Sequence, residues 1–506
     1  MDQDLTPAAA GKGRTYVVVW AMVALAHVGA IWVSAYPPLL DYPNHLARAF
    51  ILSHYDQSAV FREAFIPDWK PTPYLGADLL LVPLLSFLDP RDAGRVVLTF
   101  SFFLFGMGCG LLGRALHGRM TWGSVAATFV FLNPGFLFGF LNYTLGLGLF
   151  LCTAAVFLRV SPERRPSWRG QLRLLLLALL CYFCHLAAFA LLCLVVGAVL
   201  ARRILRGEPL DGLTALVPPL LPPLVYHLLL MASLGRSQLV PFWGGAMGKL
   251  KGLEWVGVSV VPELDLLVAG LLVGIVLVSS RSGGLEKSRL GLTLSALFSA
   301  IYLVFPEWLH GWGMDRRFLV PASVFLIVSL EPCLPRSWRW LMAGALLALL
   351  GRPLGFGVHS ARLSATIAEQ VELLRALPPA SRVFPIVSAR DRDVRPYDLL
   401  AIRHVAHYAT IEREAILPTL FAGGGSRFPG WVFPLRWRIP PPVNELAPDQ
   451  MLVQDIRWAL IFRHHDFVYA YDLRPAYESV LRRHCRMLDR RGKGVLFGPC
   501  GGQVLK

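Results

Sequence analysis

Long apolar runs, broken by short polar stretches, follow one another along the chain as far as about position 355. A helix needs about 20 apolar residues to cross a bilayer, with a working range of roughly 17 to 25. Runs of this kind fall at 16–35, 74–88, 96–113, 121–139, 141–158, 172–184, 186–201, 212–232, 264–279, 289–305, 318–332 and 337–355. They predict a mainly α, polytopic transmembrane helical bundle of about 11–12 helices. Several runs are short, which suits helices that border a water-filled cavity. Beyond 357 the apolar runs shrink to strand length, as at Arg382–Val387 and Trp458–Phe462, between helical stretches at 361–377 and 473–484. This predicts a transmembrane helical domain over 1–356 and a soluble, extracytoplasmic α/β domain over 357–506. Gly423–Gly425 and Pro440–Pro442 mark loops in the second.

Basic residues orient the spans, because cytoplasmic loops carry the excess of Lys and Arg. Arg159, Arg164, Arg165, Arg169 and Arg173 form the strongest basic loop, and Arg202, Arg203 and Arg206 form another. Arg281, Lys287 and Arg289 make a third, and Arg336 with Arg339 a fourth. Alternate crossings then put His185, the loops 233–263 and 306–317, and everything after about 357 outside, with the N-terminus cytoplasmic. The loop 36–73 and the start of the 141–158 helix should share the outer side, yet three apolar segments separate them. We therefore read 74–88 as a short or re-entrant helix. Lys12 and Arg14 before Tyr16–Val33 also fit a signal peptide, but no small-residue cleavage site follows, and an uncleaved first helix is preferred. The expected location is a bacterial inner membrane.

Composition agrees with a lipid solvent. The chain has 506 residues, 55% of them hydrophobic and 16% charged, against roughly 25% charged in soluble globular proteins. The net charge of +16 is dispersed between apolar runs, not gathered in one patch, so no nucleic-acid partner is expected. Six of the eight cysteines lie in or beside apolar segments, where they pack. Cys485 and Cys500 are the two in the C-terminal domain and are a disulfide candidate.

Candidate chemistry starts at Leu39-Leu40-Asp41-Tyr42-Pro43-Asn44-His45-Leu46-Ala47-Arg48, just after the first helix. Asp41, His45 and Arg48 share one face if a short helix starts near Pro43. A carboxylate there can take a proton from a hydroxyl nucleophile, and an Arg can hold a phosphate by paired hydrogen bonds. The bland alternative is that Asp41 caps a helix and the other two are interfacial residues. His185, at the tip between two apolar segments, is either a phosphate-facing group or a structural histidine. Arg316 and Arg317 fall on the outer side against the charge rule, so they hold an anionic ligand or pair with Asp315 or Glu307. Trp243, Lys249 and Lys251 either flank the same cavity or, the preferred reading, form an interfacial amphipathic stretch with an aromatic anchor. No Walker loop, dinucleotide-type glycine motif or zinc-type spacing is present, and His464-His465-Asp466 reads as a loop.

The layout resembles the GT-C superfamily of integral-membrane glycosyltransferases, which includes the protein O-mannosyltransferases and the lipid A aminoarabinose transferases. Asp41 stands where those enzymes carry the acidic residue of the first extracytoplasmic loop, at or near the catalytic base. Tyr42 stands where many have a second acid, and Asn142 where many have Asp at the start of a helix. The resemblance implies a polyprenyl-phosphate sugar, such as an undecaprenyl one, as hexosyl or pentosyl donor. It implies a glycan, lipid or protein hydroxyl as acceptor, Asp41 as general base, His45 as its helper, and Arg48, His185, Arg316 and Arg317 around the lipid phosphate. No cofactor is assigned, and a divalent metal stays open. A lipid or polysaccharide transporter and a non-enzymatic envelope assembly protein are the alternatives.

Overall fold

The structure is a computed structural model, and it describes residues 7–160, 166–208, 210, 212, 214–233, 241–308, 313–387, 401–423, 433–441 and 461–500. The chain divides into two compact units. One comprises Met1–Trp32, Leu98–Phe136 and Asn142–Val358, and the other Val33–Val97, Leu137–Leu141 and His359–Lys506.

Among the described residues, seven helices are long and apolar enough to cross a membrane: Thr15–Trp32, Pro90–His117, Leu141–Leu158, Leu186–Leu205, Thr214–Ser233, Pro262–Arg281 and Arg336–Leu374. Trp122–Leu137 and Arg289–Val304 are shorter apolar helices. Large apolar side chains point outward on these helices: Leu25 is 72% exposed, Leu266 74% and Leu347 69%. Such a surface is stable only in a solvent that is itself apolar, and the chain is an integral membrane protein. The segment 74–88 contains the nine-residue helix Gly76–Leu84. At 1.5 Å per residue it spans about 14 Å, too short to cross.

Backbone that breaks its helix inside a membrane needs other partners. Between Trp122 and Leu137 the chain passes from α-helix Trp122–Ala126 into the 3-10 turn Ala127–Phe131. The buried Arg352 side chain donates to the carbonyls of Phe129 and Leu132 there, to Gly257, and to the Asp265 carboxylate. One guanidinium thus supplies the hydrogen bonds the interrupted helix lacks, while Asp265 balances its charge.

The second unit holds the short helix Tyr42–Ser53, the helix Ala59–Ala64, and a strand Phe65–Pro67 paired antiparallel with Leu435–Trp437. It also holds a four-stranded sheet. Val383–Val387 runs parallel to Phe467–Tyr471, which pairs antiparallel with Gly494–Cys500, which in turn pairs with Cys485–Arg491. Helix Pro475–His484 buries Tyr477, Val480 and Leu481 against Phe384, Val468 and Phe497. Cys485 and Cys500, opposite each other on adjacent strands, form a disulfide.

Two expectations change. The helix expected at 361–377 is the continuation of the membrane helix, in a single run Arg339–Leu374. Pro353 removes one backbone donor without stopping it, and residue 357 lies inside the run. Of Trp458–Phe462, expected as a strand, Ile461 and Phe462 are helical, and the His465 amide and ring both bond the Ile461 carbonyl. Residues 458–460, 424, 425 and 442 lie outside the described residues.

Candidate active site

The first cluster is built on the start of helix Tyr42–Ser53. Pro43 presets the first turn, and the Asp41 carbonyl accepts from the Asn44 and His45 amides at 3.1 and 3.0 Å. The Asp41 side chain makes no capping bond. Its carboxylate is therefore not consumed by a capping bond, although the residue does stand at the N-cap position. The backbone of Asp41 is pinned by its own N–H to the Phe138 carbonyl at 3.0 Å, beside Leu40 N–H to Leu137 at 3.2 Å. Gly139 makes this approach workable. Its φ is +67°, and a Cβ there would fall 2.7 Å from the Tyr42 nitrogen.

His404 Nδ1 lies 3.0 Å from Asp41 Oδ1. The two atoms are close, but Nδ1 makes no aligned hydrogen bond to the oxygen. His45, expected as the helper of Asp41, is instead engaged with Arg48, whose Nη2 lies 3.2 Å from His45 Nδ1. An Nδ1 that accepts from a guanidinium leaves the ring proton on Nε2. Burial, with Arg48 and His404 nearby, holds the His45 imidazole well below the ordinary histidine range. It is neutral at physiological pH.

Arg48 is fully buried and forks onto Asp78, with Nε–Oδ1 at 3.0 Å and Nη2–Oδ2 at 2.7 Å. Phe433 lies under its guanidinium. Burial raises the Asp78 carboxyl while Arg48 opposes that rise. The charge of Arg48 is thus matched within the protein. Tyr42, in the place of the family's second acid, is a buried ring whose hydroxyl leaves no space for a Cβ at Gly94. Among the described residues, no three His, Cys, Asp or Glu side chains are grouped to hold a metal ion. His465 belongs to no such group: burial pushes its pKa down to about 4, and its ring bonds the Ile461 carbonyl.

The second cluster is built on the hairpin of helices Trp168–Cys184 and Leu186–Leu205, joined by His185 alone in extended conformation. Its Nδ1 caps the second helix by accepting the Ala187 amide at 3.0 Å. Its Nε2 lies 2.9 Å from Arg317 Nη1. Tyr143 completes the group, with its ring under the Arg317 guanidinium and its hydroxyl directed to the Arg317 carbonyl. The neighbouring arginine differs: Arg316 Nη2 bonds Glu307 at 2.6 Å. Asp315 caps the Arg316 helix and pairs with Lys249 at 2.7 Å. Arg316 thus follows the ion-pair reading, whereas Arg317 faces an imidazole, which neither reading had named. Trp243 bonds the Val304 carbonyl and keeps a half-exposed ring.

This architecture has solved counterparts. Over 98% of this chain and 100% of the other, it superposes on apo ArnT from Cupriavidus metallidurans with a TM-score of 0.53 at 13% identity. The chain shares the fold of ArnT. The same enzyme bound to undecaprenyl phosphate matches over 96% of this chain and 98% of its own, with a TM-score of 0.53 at 12% identity. No family model and no curated protein sequence matches the chain. With so few identities to ArnT, the likeness is one of fold, and the site has to be argued from this chain's own residues.

Sequence reasoning placed Asp41, His45 and Arg48 together, and they do lie on one short helix in the second unit. His185, Arg316 and Arg317 belong to the first unit. Asp78, His404, His407 and Thr419 were passed over. The only sequence signal for the histidines is the spacing His404-Val405-Ala406-His407.

Proposed function

We propose that this protein is a polyprenyl-phosphate-dependent glycosyltransferase that moves a sugar onto an acceptor hydroxyl outside the cytoplasm, with Asp41 as general base. The observation that carries the reading is the Asp41 carboxylate. It stands at a helix start without capping it, pinned by backbone on one side and facing an imidazole on the other. The fold shared with an enzyme solved with undecaprenyl phosphate supports the donor class.

In the reaction, Asp41 takes the acceptor proton as the hydroxyl oxygen forms its bond to the anomeric carbon from the face opposite the phosphate. The bond from that carbon to the phosphate oxygen breaks, the configuration inverts, and the lipid phosphate leaves with the electron pair. Negative charge grows on that phosphate, so preplaced cations there lower the barrier most. Arg317 with His185 suits this task. Nδ1 of His185 already accepts, so a neutral ring carries its proton on Nε2 and turns a second donor toward Arg317. Two donors converging at 2.9 Å are best reconciled by an anionic oxygen shared between them. Arg316 is bonded to Glu307, and Arg48 serves as a positioning residue for His45.

A transporter would be marked by ionisable groups inside the membrane. Arg352 and Asp265 form such a pair, but backbone carbonyls of the interrupted helix account for it. The deciding experiment incubates purified protein in nanodiscs with an undecaprenyl-phosphate sugar and hydroxyl acceptors, comparing wild type with Asp41→Asn. Loss of about 10²-fold or more in kcat is expected for removal of a general base. Equal release of undecaprenyl phosphate by both would rule out Asp41 as the base.

A further inference from the structure

The residue facing Asp41 comes from the far end of the chain, and its own placement is tightly specified. His407 Nδ1 donates to the His404 carbonyl at 3.0 Å. That leaves His407 Nε2 as an acceptor, and it receives Asn44 Nδ2 at 3.2 Å and Thr419 Oγ1 at 3.1 Å. Asn44 is satisfied at its other bonds too, accepting the Phe421 amide at 2.7 Å and donating to the Thr419 carbonyl at 2.9 Å. The helix that begins at Asp41 thus also carries, one turn on, the amide that fixes the backbone of His404. A structural histidine would not need a carboxylate at 3.0 Å that is itself part exposed.

We propose that His404 is the positioning partner of the Asp41 base, holding Oδ1 so that Oδ2 receives the acceptor proton, and that protonation of His404 turns the base off. The proposal rests on Asp41 being the base. His404 Nδ1 stands 3.0 Å from Oδ1 without an aligned hydrogen bond, and a small turn of the neutral ring would let Nδ1–H donate to Oδ1 and fix the rotation of the carboxylate. An imidazolium at the same place forms a full ion pair and weakens the hold of Asp41 on an incoming proton. The other groups facing His404 do not change charge with it. His45 has its Nδ1 occupied by Arg48, whose charge is matched by Asp78, and His407 is engaged at both ring nitrogens. Arg403 beside it is exposed to solvent. His404 is therefore the group through which the base would sense pH.

The test uses the full-length protein in nanodiscs and two readouts. The first is the infrared carboxylate stretch of Asp41, isolated by subtracting the Asp41→Asn spectrum. In wild type it should change with pH while the carboxylate stays ionised, and that change should vanish in His404→Gln. An Asp41 band indifferent to that substitution overturns the pairing, whatever the protein catalyses. The second is release of undecaprenyl phosphate from an undecaprenyl-phosphate hexose or pentose. His404→Ala should lower kcat about tenfold to a hundredfold at unchanged KM, as loss of positioning does. His404→Gln, which keeps an N–H donor, should recover most of kcat and remove one ionisation from the acid limb of kcat/KM. An unaltered kcat and acid limb in His404→Ala overturns the role. A wild type that releases nothing sinks the glycosyltransferase reading instead, and the infrared result then decides the pairing by itself.

Discussion

Arg317 approaches His185 Nε2 to 2.9 Å although His185 Nδ1 already accepts the Ala187 amide at 3.0 Å. A neutral imidazole cannot accept at both nitrogens, so one of the two contacts is better served by a third, anionic partner. Removing either side chain is expected to weaken binding of undecaprenyl phosphate. A charge-assisted hydrogen bond contributes about 1.5–3 kcal/mol, which corresponds to roughly 10- to 150-fold in Kd for Arg317→Ala. Arg317→Lys should keep part of the affinity, because a point charge remains but the fork is lost. Titration of the protein in nanodiscs with the lipid measures this, and an unchanged Kd in both His185→Ala and Arg317→Ala would remove the phosphate site.

The role of Arg48 separates cleanly from that of Arg317. A phosphate ligand can be removed at little expense in stability, whereas one half of a buried ion pair cannot. Arg48→Met leaves Asp78 buried and uncompensated, which should destabilise the protein by about 3–5 kcal/mol. Arg48→Met with Asp78→Leu should recover most of that loss, since both charges then leave together. Thermal unfolding checks the pair of variants. A single variant with normal Tm and weakened undecaprenyl phosphate binding would return Arg48 to the phosphate.

Acid should destabilise the second unit through its buried neutral histidines. His465 has a folded pKa of about 4 against 6.5 when free, and His45 is lowered in the same direction. A depressed pKa means that the unfolded chain takes up the proton first. The stability these groups confer is complete above pH 6.5 and is lost as pH falls toward their folded pKa values. For His465 the difference amounts to about 3 kcal/mol over that window. His465→Gln should flatten the dependence of Tm on pH between 6.5 and 4. An equally steep dependence in the variant would show that His465 protonates as easily folded as unfolded.

Some of these features are written locally in the sequence and others arise only on folding. The spans could be read directly, because lipid selects on local composition and each helix satisfies its own backbone. The shortness of 74–88 followed from counting sides. Asp41 stood out because it is an isolated acid after an apolar run. Its partner did not, because nothing local in His404 announces that Asn44, bonded to a histidine 363 residues further on, brings that segment back to the start of helix Tyr42–Ser53. The same holds for Asp78: nothing local marks an acid in a short apolar helix as the partner of an arginine 30 residues earlier, and only the fold shows that it answers Arg48. The continuation of helix Arg339–Leu374 past Gly355 and Gly357 was hidden for the opposite reason, since local breakers lose to the packing of a long helix.

Orientation can be tested with the cysteines the fold already supplies. Cys109, Cys152, Cys181 and Cys184 are buried, Cys193 is half-buried, and Cys333 is exposed just before the basic pair Arg336 and Arg339. Cys485 and Cys500 are joined in a disulfide. Between Cys333 and Cys485 there is, among the described residues, one helix able to cross a membrane, Arg336–Leu374. A single crossing puts the two positions on opposite sides. The charge rule leads us to expect Cys333 in the cytoplasm, and a stable disulfide is expected on the oxidising side. A membrane-impermeant maleimide should therefore label Cys333 in inside-out vesicles but not in intact cells. In intact cells labelling should appear only after mild reduction, at Cys485 and Cys500. Closing a loop of about 15 residues stabilises by roughly 3 kcal/mol, so reduction should also lower the Tm of the sheet those cysteines join. Labelling of Cys333 and of reduced Cys485 from the same side would mean that Arg336–Leu374 does not cross, and the assignment of Asp41 to the extracytoplasmic face would lose its basis.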